Sequence, residues 1–207
     1  MVTSWQQIWT GKITGSSARS IDTGADAFGE YPFLRIIIDV IPDGAPNVGL
    51  RFNGDETADQ YPIRRSLDGA ADNTSLTGYT YWYNGYGGTD VQRHLIIDIA
   101  NEEDKEKLIY SNQVVHSATF TSPPQRQQVW SKWRNTVDYI TDIELDSDSF
   151  DATASNWFDV GSKMTIFGGS DGTAVNPNLP NGSIFITSDT NVHYMWNSSA
   201  NTWHEVA

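Results

Sequence analysis

The sequence predicts an all-β protein: a jelly-roll-like β-sandwich over residues 1–168, a linker over 169–182 and a small aromatic β-meander over 183–207. Three observations lead there. Short runs of β-branched and aromatic residues, alternating with period 2, recur at roughly ten-residue spacing. Turn residues punctuate them, with 17 Gly and 8 Pro dispersed rather than periodic. No segment carries the long apolar stripe of an amphipathic helix. About eight to ten strands fit before residue 168, which suits two packed sheets.

Taken in order, Trp5–Thr14 opens the chain as a strand with a bend. Gly15–Gly29 reads as loop, with one short run at Ser20–Asp22. Phe33–Ile41, FLRIIIDVI, is β-branched and bounded by prolines. Its nearly continuous apolar character predicts a central strand covered on both faces. Val48, Leu50 and Phe52 alternate with Gly49 and Arg51 as a half-buried strand. Asn53-Gly54 tolerates positive φ and signals a hairpin-type turn. Pro62 has no N–H, so it must start or flank the next strand, Ile63–Ser66. Asp68–Leu76 is loop by composition, and Tyr79–Tyr86 is an aromatic strand ending on Asn84-Gly85. His94–Ile99, Leu108–Phe120 and Gln125–Arg134 are strands, separated by the charged corner Ala100–Lys107 and by Ser122-Pro123-Pro124. Tyr139–Leu145 alternates cleanly, with Asp142 and Glu144 on its polar side. Phe150–Val160 reads as loop, and Lys163–Phe167 closes the body. The tail alternates at Ile184 and Ile186, then at Val192, Tyr194 and Trp196, and ends on Trp203–Val206. A meander this small cannot hold a core alone, so it must pack on the body, on another copy or on another protein.

Composition bounds the function. The net charge is −13 and aromatics make up 12% of the residues. So much aromatic content argues for a folded chain. So acidic a chain lacks the cationic footprint that nucleic acid or anionic lipid requires, so neither is expected as a partner. The acidity reads as a solubilising surface, or alternatively as adaptation to a saline habitat. With 0 Cys there is no disulfide, thiolate metal site or cysteine nucleophile. The first residues show no charged and apolar leader pattern, and no apolar run approaches a membrane span.

Candidate sites are few. His94, His116, His193 and His204 are isolated, without zinc spacing. Asp146, Asp148 and Asp151 form an oxygen-rich loop that can hold calcium, with Asn53, Asp55 and Asp59 as a weaker set whose alternative is Asx-turn bonding. No catalytic residue is assigned, and no cofactor beyond that calcium. Glu144 with Asp142 is the one carboxylate pair a hydrolase reading would use. The best binding candidates are Tyr79, Tyr81, Trp82, Tyr83 and Tyr86, with Tyr194, Trp196 and Trp203 in the tail. Exposed rings of this kind anchor interfaces or stack on sugars. Alternation puts Tyr79, Tyr81 and Tyr83 on one face and Trp82 on the other, so one face can be core.

FNGDETADQY (52–61) resembles the FNGD…Y stretch of small β-sandwich structural proteins from tailed bacteriophages. The preceding FLRIIIDVI, the following Arg64-Arg65-Ser66 to Gly69, WSKWRNTVDYITDIEL (130–145) and Val160–Ser162 with MTIFGG resemble that pattern in the same order. The tail is similar to short β-motifs that end phage structural and fibre proteins. The resemblance implies a non-enzymatic virion component, assembled in the host cytoplasm. It would be a capsid decoration or cement protein, a head fibre, or a tail or collar piece. It also implies homo-oligomers, trimeric or higher, and contacts with major capsid or tail proteins. The alternative is a carbohydrate- or receptor-binding module using Tyr79–Tyr86.

Overall fold

The protein is described by a computed structural model that covers residues 4–28, 31–43, 48–68, 73–75, 81–84, 92–115, 123–147, 157–170, 184–186, 193–197 and 202–206. All regular structure among the described residues is β. The strands are β1 (Ser4–Lys12), β2 (Ser20–Asp22), β3 (Phe33–Val40), β4 (Pro42–Asp43), β5 (Val48–Phe52), β6 (Ile63–Leu67), β7 (Asn73–Ser75), β8 (Trp82–Asn84), β9 (Arg93–Ala100), β10 (Lys107–Val115), β11 (Gln125–Trp133), β12 (Ile143–Ser147), β13 (Trp157–Phe158), β14 (Lys163–Ser170), β15 (Ile184–Ile186), β16 (His193–Asn197) and β17 (Thr202–Val206). Those missed in the sequence, β4, β7 and β13, are two or three residues long.

Two antiparallel sheets make the body. The larger has the order β1-β14-β3-β9-β10-β11-β6-β7 and the smaller β2-β12-β5-β8. The chain passes repeatedly between them, as in a jelly roll, but divides its strands eight against four. β4 and β13 form a separate two-stranded pair. The body, Val2–Ser170, is one compact unit, and Asp171–Ala207 belongs to a second. That second unit contains β15-β16-β17, a meander as the sequence predicts. Gly169 and Ser170 complete β14, so two residues expected in the linker are strand.

The core lies between the sheets. β3 supplies Leu34, Ile36, Ile38 and Val40, β9 supplies Leu95, Ile97 and Ile99, and β14 supplies Met164 and Ile166. Leu50, Phe52, Trp82, Ile143 and Leu145 face them from the smaller sheet. Each such side chain contributes about 1.5–3 kcal/mol through area removed from water. β3 alternates strictly between buried and half-buried positions. The expectation that both of its faces are covered is therefore corrected: one face is core and the other looks outward.

Polar side chains close one end of the sandwich. The turn Phe52–Asp55 is sealed by the Asp55 N–H donating to Phe52 O at 2.9 Å, with Asn53 and Gly54 at φ 49° and 64°. It does not make a hairpin, because β5 and β6 belong to different sheets. Asp55 instead reaches across the sandwich, accepting the Trp133 indole N–H from β11 at 2.7 Å. Tyr61 is buried, accepts from the Phe52 N–H at 3.3 Å and donates to Asp55 O at 3.4 Å. Burial pushes its phenol well above the ordinary range. The Phe52 ring sits 5.9 Å from Tyr61 and 5.8 Å from Trp133. Within the FNGD…Y stretch, Asp55 and Phe52 thus reach Trp133 of the larger sheet, and Tyr61 braces the turn between them.

The chain then crosses from β11 to β12 through Tyr139–Asp142, which alternation predicts as strand. The structure shows no ladder there. Two asparagine side chains pair with its backbone instead. Asn53 accepts from the N–H groups of Thr141 and Asp142 at 3.0 and 3.2 Å and donates to Tyr139 O at 2.6 Å. Asn101, fully buried, accepts the Ile140 N–H at 2.8 Å and donates to Tyr31 O and Ile140 O at 2.8 and 3.3 Å. An amide side chain offers the same donor and acceptor as a strand edge, so the crossing needs no ladder. Asn101→Ala leaves these backbone groups buried and unpaired, and urea unfolding is expected to show a loss of about 2–3 kcal/mol. A loss under about 0.5 kcal/mol contradicts this reading of the crossing.

Candidate functional site

The outward face of the eight-stranded sheet carries the exposed chemistry of the body. Its side chains form cross-strand rows set by register. One row runs Trp5, Gly169, Phe33, Ala100, Leu108, Lys132 across β1-β14-β3-β9-β10-β11. The next runs Gln7, Phe167, Arg35, Asp98, Tyr110, Trp130, Arg64 and reaches β6. Directly opposed residues on neighbouring strands lie on one face, so these rows are contiguous surface.

Between them lies an open groove of about 430 Å³. Trp5 stands on one side, Leu108, Tyr110 and Trp130 on the other, with Phe33, Ala100, Arg35 and Asp98 below. The Trp5 ring lies flat because Gly169 has no Cβ; one built there meets the ring at 2.9 Å. The Arg35 guanidinium sits 4.9 Å from the Trp5 ring centroid and makes two bonds to Asp98, at 2.6 and 3.0 Å. Cation–π contact and ion pair together fix the groove floor. Tyr110 and Trp130 pair at 5.9 Å with their rings tilted by 44°. The Tyr110 hydroxyl accepts from Gln128 at 3.0 Å. Leu108 is 61% exposed, Val114 46% and Trp130 41%. Scattered exposed apolar residues are ordinary, but a contiguous aromatic and aliphatic patch marks an interaction site.

The face also separates charge. Lys12, Arg35, Arg64, Arg126, Lys132 and Lys163 occupy outward positions in its strands, six of the chain's 13 Lys and Arg. Only Asp39 and Asp98 of the 26 acidic residues do. Each is paired, Asp39 with His94 at 2.7 Å and Asp98 with Arg35. The outward row of the smaller sheet reads Asp22, Glu144, Arg51 instead. Burial, then the neighbouring carboxylates Asp22 and Asp26, push Asp142 above the usual carboxylate range. Burial also raises Glu144, against the pull of Arg51 and with the push of Asp146, Asp22 and Asp142.

The residues singled out in the sequence fall elsewhere. Trp82 is fully buried and pairs in register with Leu50, so it is core and cannot stack on a sugar or a partner. Tyr81 is half-buried. Tyr83 stands opposite Gly49 in β8, while Tyr79 and Tyr86 lie outside the described residues. In the tail, register pairs Trp196 with Trp203 and Tyr194 with Glu205. Asp146 is buried with the Arg19 guanidinium at 3.1 Å. The carboxylate named as a calcium candidate thus holds an arginine in this structure. Asp148 and Asp151 lie outside the described residues. Of the weaker set, Asp55 shows the Asx-turn alternative, accepting the Thr57 N–H at 2.9 Å. No group of three or more metal-ligating side chains converges among the described residues. Trp5, Leu108, Tyr110 and Trp130 do not stand out in the sequence as binding residues. For Leu108 and Trp130 the signal is an apolar side chain next to a core one, Ile109 and Val129, which places it on the opposite face of the strand.

No protein-family model, curated protein or solved structure matches this chain.

Because folding raises the Asp142 pKa, its ionisation costs stability. The cost is absent below the unfolded carboxylate range and grows as pH rises through the folded value. Asp142→Asn keeps the acceptor for Thr23, so it is expected to raise the neutral-pH urea midpoint, with the gain shrinking as pH falls to about 3. A gain that persists unchanged at low pH contradicts the assignment. Leu108→Ser is expected to change stability by less than about 0.5 kcal/mol, and Leu95→Ala to cost about 2–5 kcal/mol. Equal losses in chemical denaturation contradict the reading of Leu108 as free surface.

Proposed function

We propose that this chain is a non-enzymatic structural component of a tailed-bacteriophage virion. It is a capsid decoration or head-fibre protein, or a tail or collar piece, and works by covering the outward face of its eight-stranded sheet with neighbouring protein. The observation that carries the reading is that face: contiguous, apolar, aromatic and held rigid by register and by the Arg35–Asp98 pair. Rigid aromatic anchors with fixed rotamers make good interface centres. The Phe52–Tyr61 stretch adds support, because its side chains are occupied in joining the sheets rather than poised for chemistry.

A carbohydrate-binding reading gains one specific observation, the groove flanked by Trp5, Tyr110 and Trp130. It ranks second because Arg35 and Asp98, the polar groups on the groove floor, bond to each other. Sugar recognition needs polar groups turned toward the ligand.

Gold-labelled antibody against the protein, applied to intact virions and viewed by electron microscopy, tests the proposal. Label over heads assigns a decoration or head-fibre role, and label on the tail or collar assigns it there. Particles without label overturn the virion assignment.

A further inference from the structure

The outward face of the large sheet is apolar and edged with cations, whereas another part of the same body has the opposite character. Val137, in the crossing after β11, is 69% exposed. It borders a cleft of about 270 Å³ whose lining includes the carboxylates of Asp26, Glu103 and Asp138. Asn135 fixes the shape of this corner by accepting the N–H groups of Val137 and Asp138 at 2.8 and 3.1 Å, and by donating to the Asp138 carboxylate at 3.2 Å. The corner is thus an apolar knob bordered by acids, with the buried Lys107 ammonium donating to Asn135 O and near Glu103, Asp104 and Asp138. The acidity continues onto the smaller sheet through Asp142, Asp22 and Glu144, which interact electrostatically.

We propose that copies of this chain associate head-to-tail, the cation-edged apolar face of one copy seating the acid-bordered Val137 corner of the next. The proposal rests on reading the outward face as an interface, and it names the occupant. Charge complementarity selects this occupant. Two copies joined face to face would oppose two surfaces that each carry Lys12, Lys163 and Arg126. The acids at outward strand positions of that face, Asp39 and Asp98, already bond His94 and Arg35 within each copy. Like charges brought together at a contact are repulsive and act against it. Joining the face to the Val137 corner instead matches apolar with apolar and cation with carboxylate. Such a contact uses different patches on the two partners, so it does not stop at a dimer. It closes into a ring or continues as a fibre. Both outcomes repeat modest contacts many times, which suits a virion component.

Sedimentation velocity on the full chain, from about 1 to 100 µM at low salt, tests this. The expected result is a mass that grows beyond the dimer with concentration and falls when salt is raised to about 0.5 M, because the charge contacts are screened. Two variants separate the patches. Leu108→Glu disables the face, and Glu103→Lys with Val137→Lys disables the corner; all three positions are exposed, and an unchanged urea midpoint confirms folding. Each variant alone is expected to sediment as monomer. Mixed in equal amounts, they are expected to form a dimer and nothing larger, because one intact face meets one intact corner. Wild-type chain that stays monomeric throughout overturns the proposal. So does a dimer that survives in the Glu103→Lys/Val137→Lys variant, since that contact is face to face, and so does a mixture that remains monomeric. Labelled virions together with a monomeric chain leave the virion assignment standing and remove only this inference.

Discussion

The sandwich depends on a polar link at its closed end. Asp55, just after a strand of the smaller sheet, accepts the indole N–H of Trp133 from the larger one. The bond is charge-assisted and shielded by Phe52 and Tyr61, so it is stronger than a neutral one in water. It also sets the path of the next segment. With Trp133 held, the chain leaves β11 at a set position, and Asn53 and Asn101 then guide it across to β12. The hydrophobic core supplies most of the stabilisation, but it is non-directional. The aspartate and the two asparagines decide which turn meets which strand.

Among the described residues of the body, the large sheet has its core on one side only. The core needs only one face of β3, β9 and β10. The other face carries Phe33, Ile37, Ile96, Leu108 and Tyr110 with no layer of this body placed over them among the described residues. A sheet face destined only for water reads polar at these positions. The division of charge reinforces the point. A chain with net charge −13 places six of its 13 Lys and Arg on this face, Arg35 paired with Asp98 and Lys132 with Glu106.

Much of the fold is legible in the sequence because alternation and turn residues act locally. Phe33–Val40, Val48–Phe52, Arg93–Ala100 and Gln125–Trp133 are read from period and bounding residues alone. The crossing at Tyr139–Asp142 is misread because its alternation is genuine, while its backbone is paired by side chains distant in sequence. β4, β7 and β13 are too short for a period to show. The site is less legible. Trp82 looks like a binding residue because its neighbours are aromatic, and only the placement of β8 beside β5 shows it is core. The groove is assembled from five strands. A continuous apolar run has the same appearance whether its second face is covered by its own chain or by a partner, so the sequence cannot separate the two.

Hydroxyl-radical footprinting across a dilution series measures the central claim most directly, because Trp5, Leu108, Tyr110 and Trp130 are reactive, exposed or half-buried side chains gathered on one face. The account predicts that all four lose reactivity together as the chain is concentrated, with Trp82 and Trp133 unreactive throughout. Equal labelling of the four at every concentration contradicts it, and leaves the apolar face with no partner of its own kind.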